Sequence, residues 1–425
     1  MMEKEIIETK IFSIMFLLLT ALPSMGQVDD FNSTTGKVWH GGVVSHQLAF
    51  DSITVEETYG PIVPGRTVAA IMYIYDNVIG KGRKILTING VETPLPMPDD
   101  AGDFSPSYIG YGNGNLYVVG QRIIKNDELP FWVMNYEYAV WKNMEFQYII
   151  NDSRLIDNFG VDVCVDGDDL YLWGYGYLSL QEDSNGDEAR TFYFKNNELA
   201  YVYEHSARGF DVENGDVYIA TDVRLYDSYH STSSAWTDWG QVTQLRKNGT
   251  TNNLQRVDRS KLFYTEGMVV RNGVVHIVGF TDLLGGNFNG KTERLFSAWY
   301  YDGNSNHEDP YYYPYYCINI DDNGNVYIVS HRKELDNQKP AFVLLKNGVE
   351  LYELSDGDPY WGTSYSFGGK LPRIFFDGDD IFVLACGYHI DADDEYHNSY
   401  MVWKNDQLIW KSDDGYPAIY KMIIY

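Results

Sequence analysis

The chain has 425 residues, with 60 acidic against 32 basic side chains and a formal charge of -28. Binding a phosphate backbone or an anionic membrane surface needs clustered Lys and Arg, so this balance argues against both. Hydrophobic residues make up 44% and aromatics 16%, enough for a large core, and three cysteines cannot form a disulfide framework.

In chain order, the first element is an export leader. Lys10 precedes an apolar run from Ile11 to Leu22, followed by Pro-Ser-Met-Gly-Gln. A basic residue, a short apolar run and small residues at Ser24 and Gly26 form a secretory signal cleaved before Gln27. The run is shorter than the about 20 residues that span a bilayer. The acidic leader before Lys10 reads as an extension. The expected division is therefore a signal over 1–26, a disordered mature N-terminus over 27–36, and a folded unit over 37–425, located in the periplasm, at the cell surface or outside the cell.

The folded unit is one repeat. Its first landmark is a strand, a tight Gly turn, and a strand ending in Tyr-Val-x-Gly or similar. It occurs at Tyr111–Gly120, Val165–Gly174, Val212–Thr221, Val270–Gly279, Asp321–Ser330 and Phe376–Ala385. Val68 to Tyr75 reads as a degenerate first copy. The second landmark is an aromatic strand running into Lys-Asn-Gly. It occurs at Tyr138–Asn143, Phe192–Asn197, Gln244–Gly249, Ala298–Gly303, Val343–Gly348 and Met401–Asp406, with weaker copies at Lys84–Gly90 and Lys37–Gly42. The two alternate with a period of about 50 residues, within the range of propeller blades. Asn-Gly and Asp-Gly between alternating strands signal hairpins. Two hairpins per period make a four-stranded sheet that must stack on its neighbours, which predicts an all-β single β-propeller. Trp141, Trp173, Trp299 and Trp403 lie within strands and are expected in blade packing.

Eight Lys-Asn-Gly-type turns against seven first hairpins leave unpaired pieces at both ends. The expected solution is eight blades, the eighth built from the hairpin at 37–50 and the strand at 417–425, with seven as the alternative. The alternating Asp-Gly-x-x-Tyr-Val-x-Gly and Trp-Lys-Asn-Gly units resemble those of exported bacterial β-propeller proteins of poorly defined function. The resemblance covers nearly all of the mature chain and implies the architecture. It carries over no catalytic residue, because the matching residues are turn and core positions.

Connections sort by length. Turns inside each hairpin are tight, whereas those between hairpins and between blades are long: 121–137, 175–190, 222–241, 281–294, 91–107 and 355–370. All the long ones should emerge on one face, where function concentrates. That face is expected to hold a ligand through Trp236, Trp239, Tyr229, Tyr226, Trp132, Tyr177, Trp361 and Tyr388, since exposed rings stack on sugar faces or anchor protein partners. Taken singly, each ring can instead pack beneath its own loop as part of a small satellite core.

Asp183, Asn185 and Asp187 alternate oxygen ligands as a calcium loop does, but without its distal Glu; a flexible acidic tip explains them as well. His389, Asp391, Asp393 and His397 fit no metal motif and read as a solvated acidic loop. Cys164, Cys317 and Cys386 are expected in inner strands as small buried hydrophobes. No nucleophile elbow or phosphate loop is present. The expectation is a monomeric, exported, non-enzymatic binding protein for a carbohydrate or protein partner, with no required cofactor. The alternative is a polysaccharide hydrolase or lyase with carboxylates at the mouth of the propeller channel, ~5 to 10 Å apart.

Overall fold

The repeated turns set the strand register. At Asn89, Asn113, Asn143, Asn196, Asn214, Asn248, Asn272, Asn347 and Asn405, φ lies between 47° and 56°. This is the left-handed region that Asn tolerates and that a two-residue hairpin of the type I′ class requires. In the second hairpin of a blade the Asn side chain adds another link. Asn248 Oδ1 accepts the Val217 N–H at 2.9 Å, while the Asn248 N–H donates to the Val217 carbonyl at 2.9 Å. The same double bond joins Asn89 to Val68, Asn143 to Leu116, Asn196 to Leu170, Asn347 to Val326 and Asn405 to Ile381. The preceding Lys lies over a Tyr of the adjacent strand, as in Lys195 on Tyr171 and Lys247 on Tyr218. It also pairs with the turn Asp, Lys195 with Asp169 and Lys247 with Asp216, both at 2.7 Å. The two landmarks of the repeat thus lie side by side and fix each other's register.

A computed structural model describes residues 43–49, 52–76, 81–98, 102–124, 135–152, 155–178, 190–203, 207–226, 239–254, 261–283, 296–333, 341–354, 362–363, 372–390, 396–412 and 417–425. All belong to the unit Gly41–Tyr425. The expected signal and mature N-terminus lie outside the described residues. Those described are strands, turns and connections, with no helix. None therefore forms a helix long and apolar enough to cross a membrane.

The strands build seven antiparallel blades, lettered A to D from the axis outward. Blade 2 runs Ser105–Gly112, Asn115–Ile124, Asn135–Lys142 and Glu145–Ile150. Blade 3 runs Leu155–Asp166, Asp169–Leu178, Arg190–Lys195 and Glu198–Tyr203. Blade 4 runs Ala207–Glu213, Asp216–Tyr226, Trp239–Lys247 and Thr250–Asn253. Blade 5 runs Lys261–Arg271, Val274–Leu283, Phe296–Tyr301 and Asn306–Asp309. Blade 6 runs Tyr312–Ile320, Val326–Arg332, Ala341–Lys346 and Val349–Glu353. Blade 7 runs Arg373–Asp377, Asp380–Ile390, Tyr396–Lys404 and Gln407–Lys411. Each A strand touches the next, and the last touches the first, so the ring is closed.

Blade 1 corrects the expected count of eight. Its A strand is the C-terminal Ala418–Ile424, paired with strand B, Val68–Asp76, and followed by Lys81–Ile88 and Val91–Glu92. Val68–Asp76 is therefore a single strand whose partner lies at the far end of the chain, not a degenerate hairpin. The N-terminal hairpin Val43–Ala49 and Ser52–Thr58 pairs onto Val91 through Thr58 and widens this same blade. An inner strand left without a hairpin mate is the position that a terminal strand can fill, because filling it covers an open edge and joins both ends of the ring.

The core is a series of layers between blades. One cluster joins blades 2 and 3 through Val119, Tyr138, Leu170 and Phe192; another joins blades 6 and 7 through Val329, Leu344, Val383 and Trp403. Trp141, Trp299 and Trp403 are wholly buried and Trp173 nearly so. On the tight-turn face, acids tie neighbouring blades. Asp166 accepts the Gly215 N–H, and Glu213 accepts the Asn272 and Gly273 N–H groups, each at 2.6 Å.

Candidate functional site

A regular inner strand directs alternate side chains onto two faces, both packed against neighbouring blades. A bulge breaks that alternation and re-aims a side chain. The A strands of blades 1 to 6 all carry a register shift against strand B. In blades 2, 3 and 5 it falls at the last residue of the Tyr-Val-x-Gly landmark, namely Gly120, Gly174 and Gly279. A Cβ on Gly279 would lie 1.8 Å from the Tyr264 carbonyl oxygen, a backbone atom, so no side chain fits there. Glycine is required there because the backbone of Tyr264 and Thr265, just before the bulge, closes onto it.

The inserted residues in blades 4 and 5 are Arg208 and Glu266, between Ala207 and Gly209 and between Thr265 and Gly267. Both are solvent-exposed, and neither has a hydrogen-bond partner among the described residues. Although water reaches Glu266, neighbouring protein partly desolvates its carboxylate. Desolvation raises its carboxyl to about 7, with Asp222 adding to the rise and Arg208 opposing it. Behind the pair stands Asp222, half-buried. It accepts the Thr265 N–H and Thr265 Oγ1–H at 2.8 Å and the Thr243 Oγ1–H at 3.0 Å. Burial raises its pKa, and these bonds and Arg208 hold the rise in check. The Arg208 guanidinium lies 6.0 Å above the Tyr175 ring.

A second charged group crosses the axis. Asp162 in blade 3 accepts from Arg373 Nη2 of blade 7 at 2.6 Å and from Lys421 Nζ of blade 1 at 2.7 Å. Blades 3 and 7 stand three places apart in a ring of seven, the greatest separation available, so this contact spans the bore. Asp162 and Lys421 are buried. Desolvation, reinforced by Arg373, lowers the Lys421 ammonium to about 8 against the opposing pull of Asp162. Burial first, then Asp162 and Tyr136, push the Tyr108 hydroxyl far above its ordinary value. At the 4–5 blade interface, Asp211 accepts the Val270 N–H at 2.6 Å and the Cys164 thiol at 3.5 Å, and burial raises its carboxyl to about 6.

The aromatic residues expected in loops divide into two groups. Trp132, Tyr229, Trp236 and Trp361 lie outside the described residues, as do Asp183, Asn185, Asp187, Asp391 and Asp393. Tyr226, Trp239, Tyr177 and Tyr388 are in strands. Tyr226 and Trp239 are direct backbone partners at the end of blade 4, so the connection expected over 222–241 is only 227–238. Tyr177 pairs with Ile156, and Tyr388 with Gly362 and Asn398. His389 and His397 are also cross-strand partners rather than loop residues. Cys164 and Cys317 lie on inner strands as expected, but Cys386 lies on strand B. None of the three is in a disulfide, and all are partly accessible rather than fully buried as expected. Among the described residues no group of three or more His, Cys, Asp or Glu is placed to hold a metal.

The charged bore residues were not expected, though a signal existed. Asp162 and Lys421 are single charges inside the apolar strands Val-Asp-Val-Cys-Val and Ile-Tyr-Lys-Met-Ile, and Arg208 and Glu266 each precede a Gly.

Among solved structures, the chain is similar to the β-propeller domain of the Trilobed protease from Pyrococcus furiosus. Identity is 11% and the TM-score 0.43, over 86% of this chain and 98% of that one. It is similar to the polysaccharide lyase Uly1 at 10% identity and a TM-score of 0.43, over 88% and 93%. It is similar to a glycosyl hydrolase from Bacteroides ovatus at 9% identity and a TM-score of 0.25, over 74% and 96%. No family model matches the chain, and no curated protein matches it. At this level of similarity none of the three structures bears on ligand or activity.

Proposed function

We propose that the protein is an exported, monomeric, non-enzymatic binding protein that holds a carbohydrate or protein partner on the face bearing its B-to-C and D-to-A connections. One observation carries this reading. On the opposite face, tight-turn side chains such as Asp166, Glu213, Asn113, Asp168 and Asn248 are already engaged in ties within and between blades. The bore is also crossed by the Asp162 cluster. What is left for a ligand is the loop-bearing end, whose connections are rich in aromatic and polar residues in the sequence. A glycan array run beside a polysaccharide digestion panel tests the reading, with Trp236→Ala and Trp239→Ala compared against Trp173→Ala as a core control. Trp236→Ala, in the 227–238 connection, and Trp239→Ala, at the strand end that follows it, are expected to melt like the parent and to lose ligand, at a cost of ~2 kcal/mol or more. Variants at these two positions that melt early, or that bind every ligand of the parent, refute it.

A second reading, a polysaccharide hydrolase or lyase, draws on one feature. Glu266 combines solvent access with a carboxyl at about 7, the range suited to a general acid or base at neutral pH. Product release from the digestion panel that disappears in Glu266→Gln would favour it over binding alone.

A further inference from the structure

We infer that Arg208 and Glu266 form a binding site for a neutral, hydroxyl-rich saccharide unit at the loop-bearing end of the bore. The inference rests on the binding reading above and gives it a place and a ligand class.

The two side chains are brought together by their strands. They are the inserted residues of consecutive inner strands. Just past Arg208 those strands approach so closely that a Cβ on Gly209 would lie 2.7 Å from the Met268 Cβ. Counted from the tight turns, Arg208 and Glu266 stand five residues before the strand ends at Glu213 and Arg271, whereas Asp162 stands four before Asp166. The pair thus sits on the loop side of the charge cluster that crosses the bore.

Both elements are held in advance. Asp222 takes the Thr265 N–H and hydroxyl, which fixes the residue immediately before Glu266, while the Tyr175 ring lies beneath the Arg208 guanidinium. In the Asp162 cluster both cations share one carboxylate oxygen. Here the guanidinium and carboxylate have no hydrogen-bond partner among the described residues. A fork of donors beside a pair of acceptor oxygens matches a sugar hydroxyl cluster, because each hydroxyl donates and accepts. Net charge selects against an acidic sugar: Arg208 faces two carboxylates, Asp222 and Glu266, in a chain of charge -28.

The test is titration calorimetry on the full chain with hexaoses of glucose, xylose and mannose. A glucuronate-containing oligosaccharide and a glucosamine hexaose serve as the anionic and cationic arms. At least one neutral hexaose is expected to bind. Arg208→Gln and Glu266→Gln should each weaken it by about tenfold or more, the size of a lost hydrogen bond to a charged group. Melting should be unchanged, and Arg208→Lys and Glu266→Asp should restore part of the affinity. A neutral hexaose bound equally by the parent and both variants, yet lost in Trp239→Ala, overturns the inference and leaves the loop-face reading standing. Preference for the glucuronate or glucosamine arm overturns the ligand class. Binding of no saccharide overturns the inference together with the carbohydrate half of the reading, and leaves the protein-partner half to the loop variants.

Discussion

Asp162→Ala is the most informative perturbation of the ring. It leaves Lys421, 7% exposed, and Arg373 beside each other with their shared carboxylate gone. Removing one partner of a buried ion pair costs about 3–5 kcal/mol, because the remaining charge is stranded in protein. For a unit running from Gly41 to Tyr425, an unfolding entropy of ~2.1 cal/mol/K per residue makes each degree of Tm worth ~0.8 kcal/mol. The expected fall is therefore ~4–6 °C. Lys421→Met in the same background removes the stranded ammonium and should recover more than half of the loss, since Arg373 is partly exposed and can reach water. The loss is also pH-dependent. In the parent, Lys421 has a folded pKa of about 8, below its ordinary 10.5. The folded state thus binds fewer protons between these values, and stability from this group rises with pH across the window. Without Asp162 the folded pKa drops further, so the penalty should shrink from pH 7 to pH 9. Differential scanning calorimetry of parent, single and double variants at both pH values reads all three effects. An Asp162→Ala protein melting within ~1 °C of the parent, or a double variant no better than the single, refutes the account.

Deleting residues 418–425 removes the inner strand of blade 1 and the Lys421 contact together, and should leave an open, aggregating ring; size-exclusion chromatography and melting unchanged from the parent would contradict this. Gly279→Ala drives a methyl into the Tyr264 carbonyl and is expected to cost ~3 kcal/mol or more by urea denaturation, with a near-neutral result refuting the bulge explanation. Asn248→Ala loses an acceptor for the Val217 N–H and a residue suited to positive φ, a cost of ~1–2 kcal/mol measurable as a shift in urea midpoint. Asp211 has a folded pKa of about 6 against 3.8, so the stability it contributes is present at low pH and is lost as pH rises through 6. The urea midpoint of the parent should therefore fall relative to Asp211→Asn between pH 4.5 and pH 7, and parallel profiles would exclude the assignment.

The blade was legible from sequence because its determinants are local. Asn-Gly at a two-residue turn permits one backbone conformation, and the Lys, Asn, Asp and Tyr of the two landmarks meet across adjacent strands only a few positions from that turn. Trp141, Trp173, Trp299 and Trp403 could be assigned to packing for the same reason, since alternation places them on a blade face. The number of blades was not local. It depended on whether Ala418–Ile424 would pair with Val68–Asp76 or with the N-terminal hairpin, a choice between partners hundreds of residues apart that no spacing encodes. The candidate site was hidden for a related reason. A bulge shifts register by one residue and re-aims a side chain away from the regular alternation, so period-two reading places Arg208 and Glu266 wrongly. That Asp162 meets Arg373 and Lys421 follows only from closure of the ring, which brings strands from blades 3, 7 and 1 to a common axis.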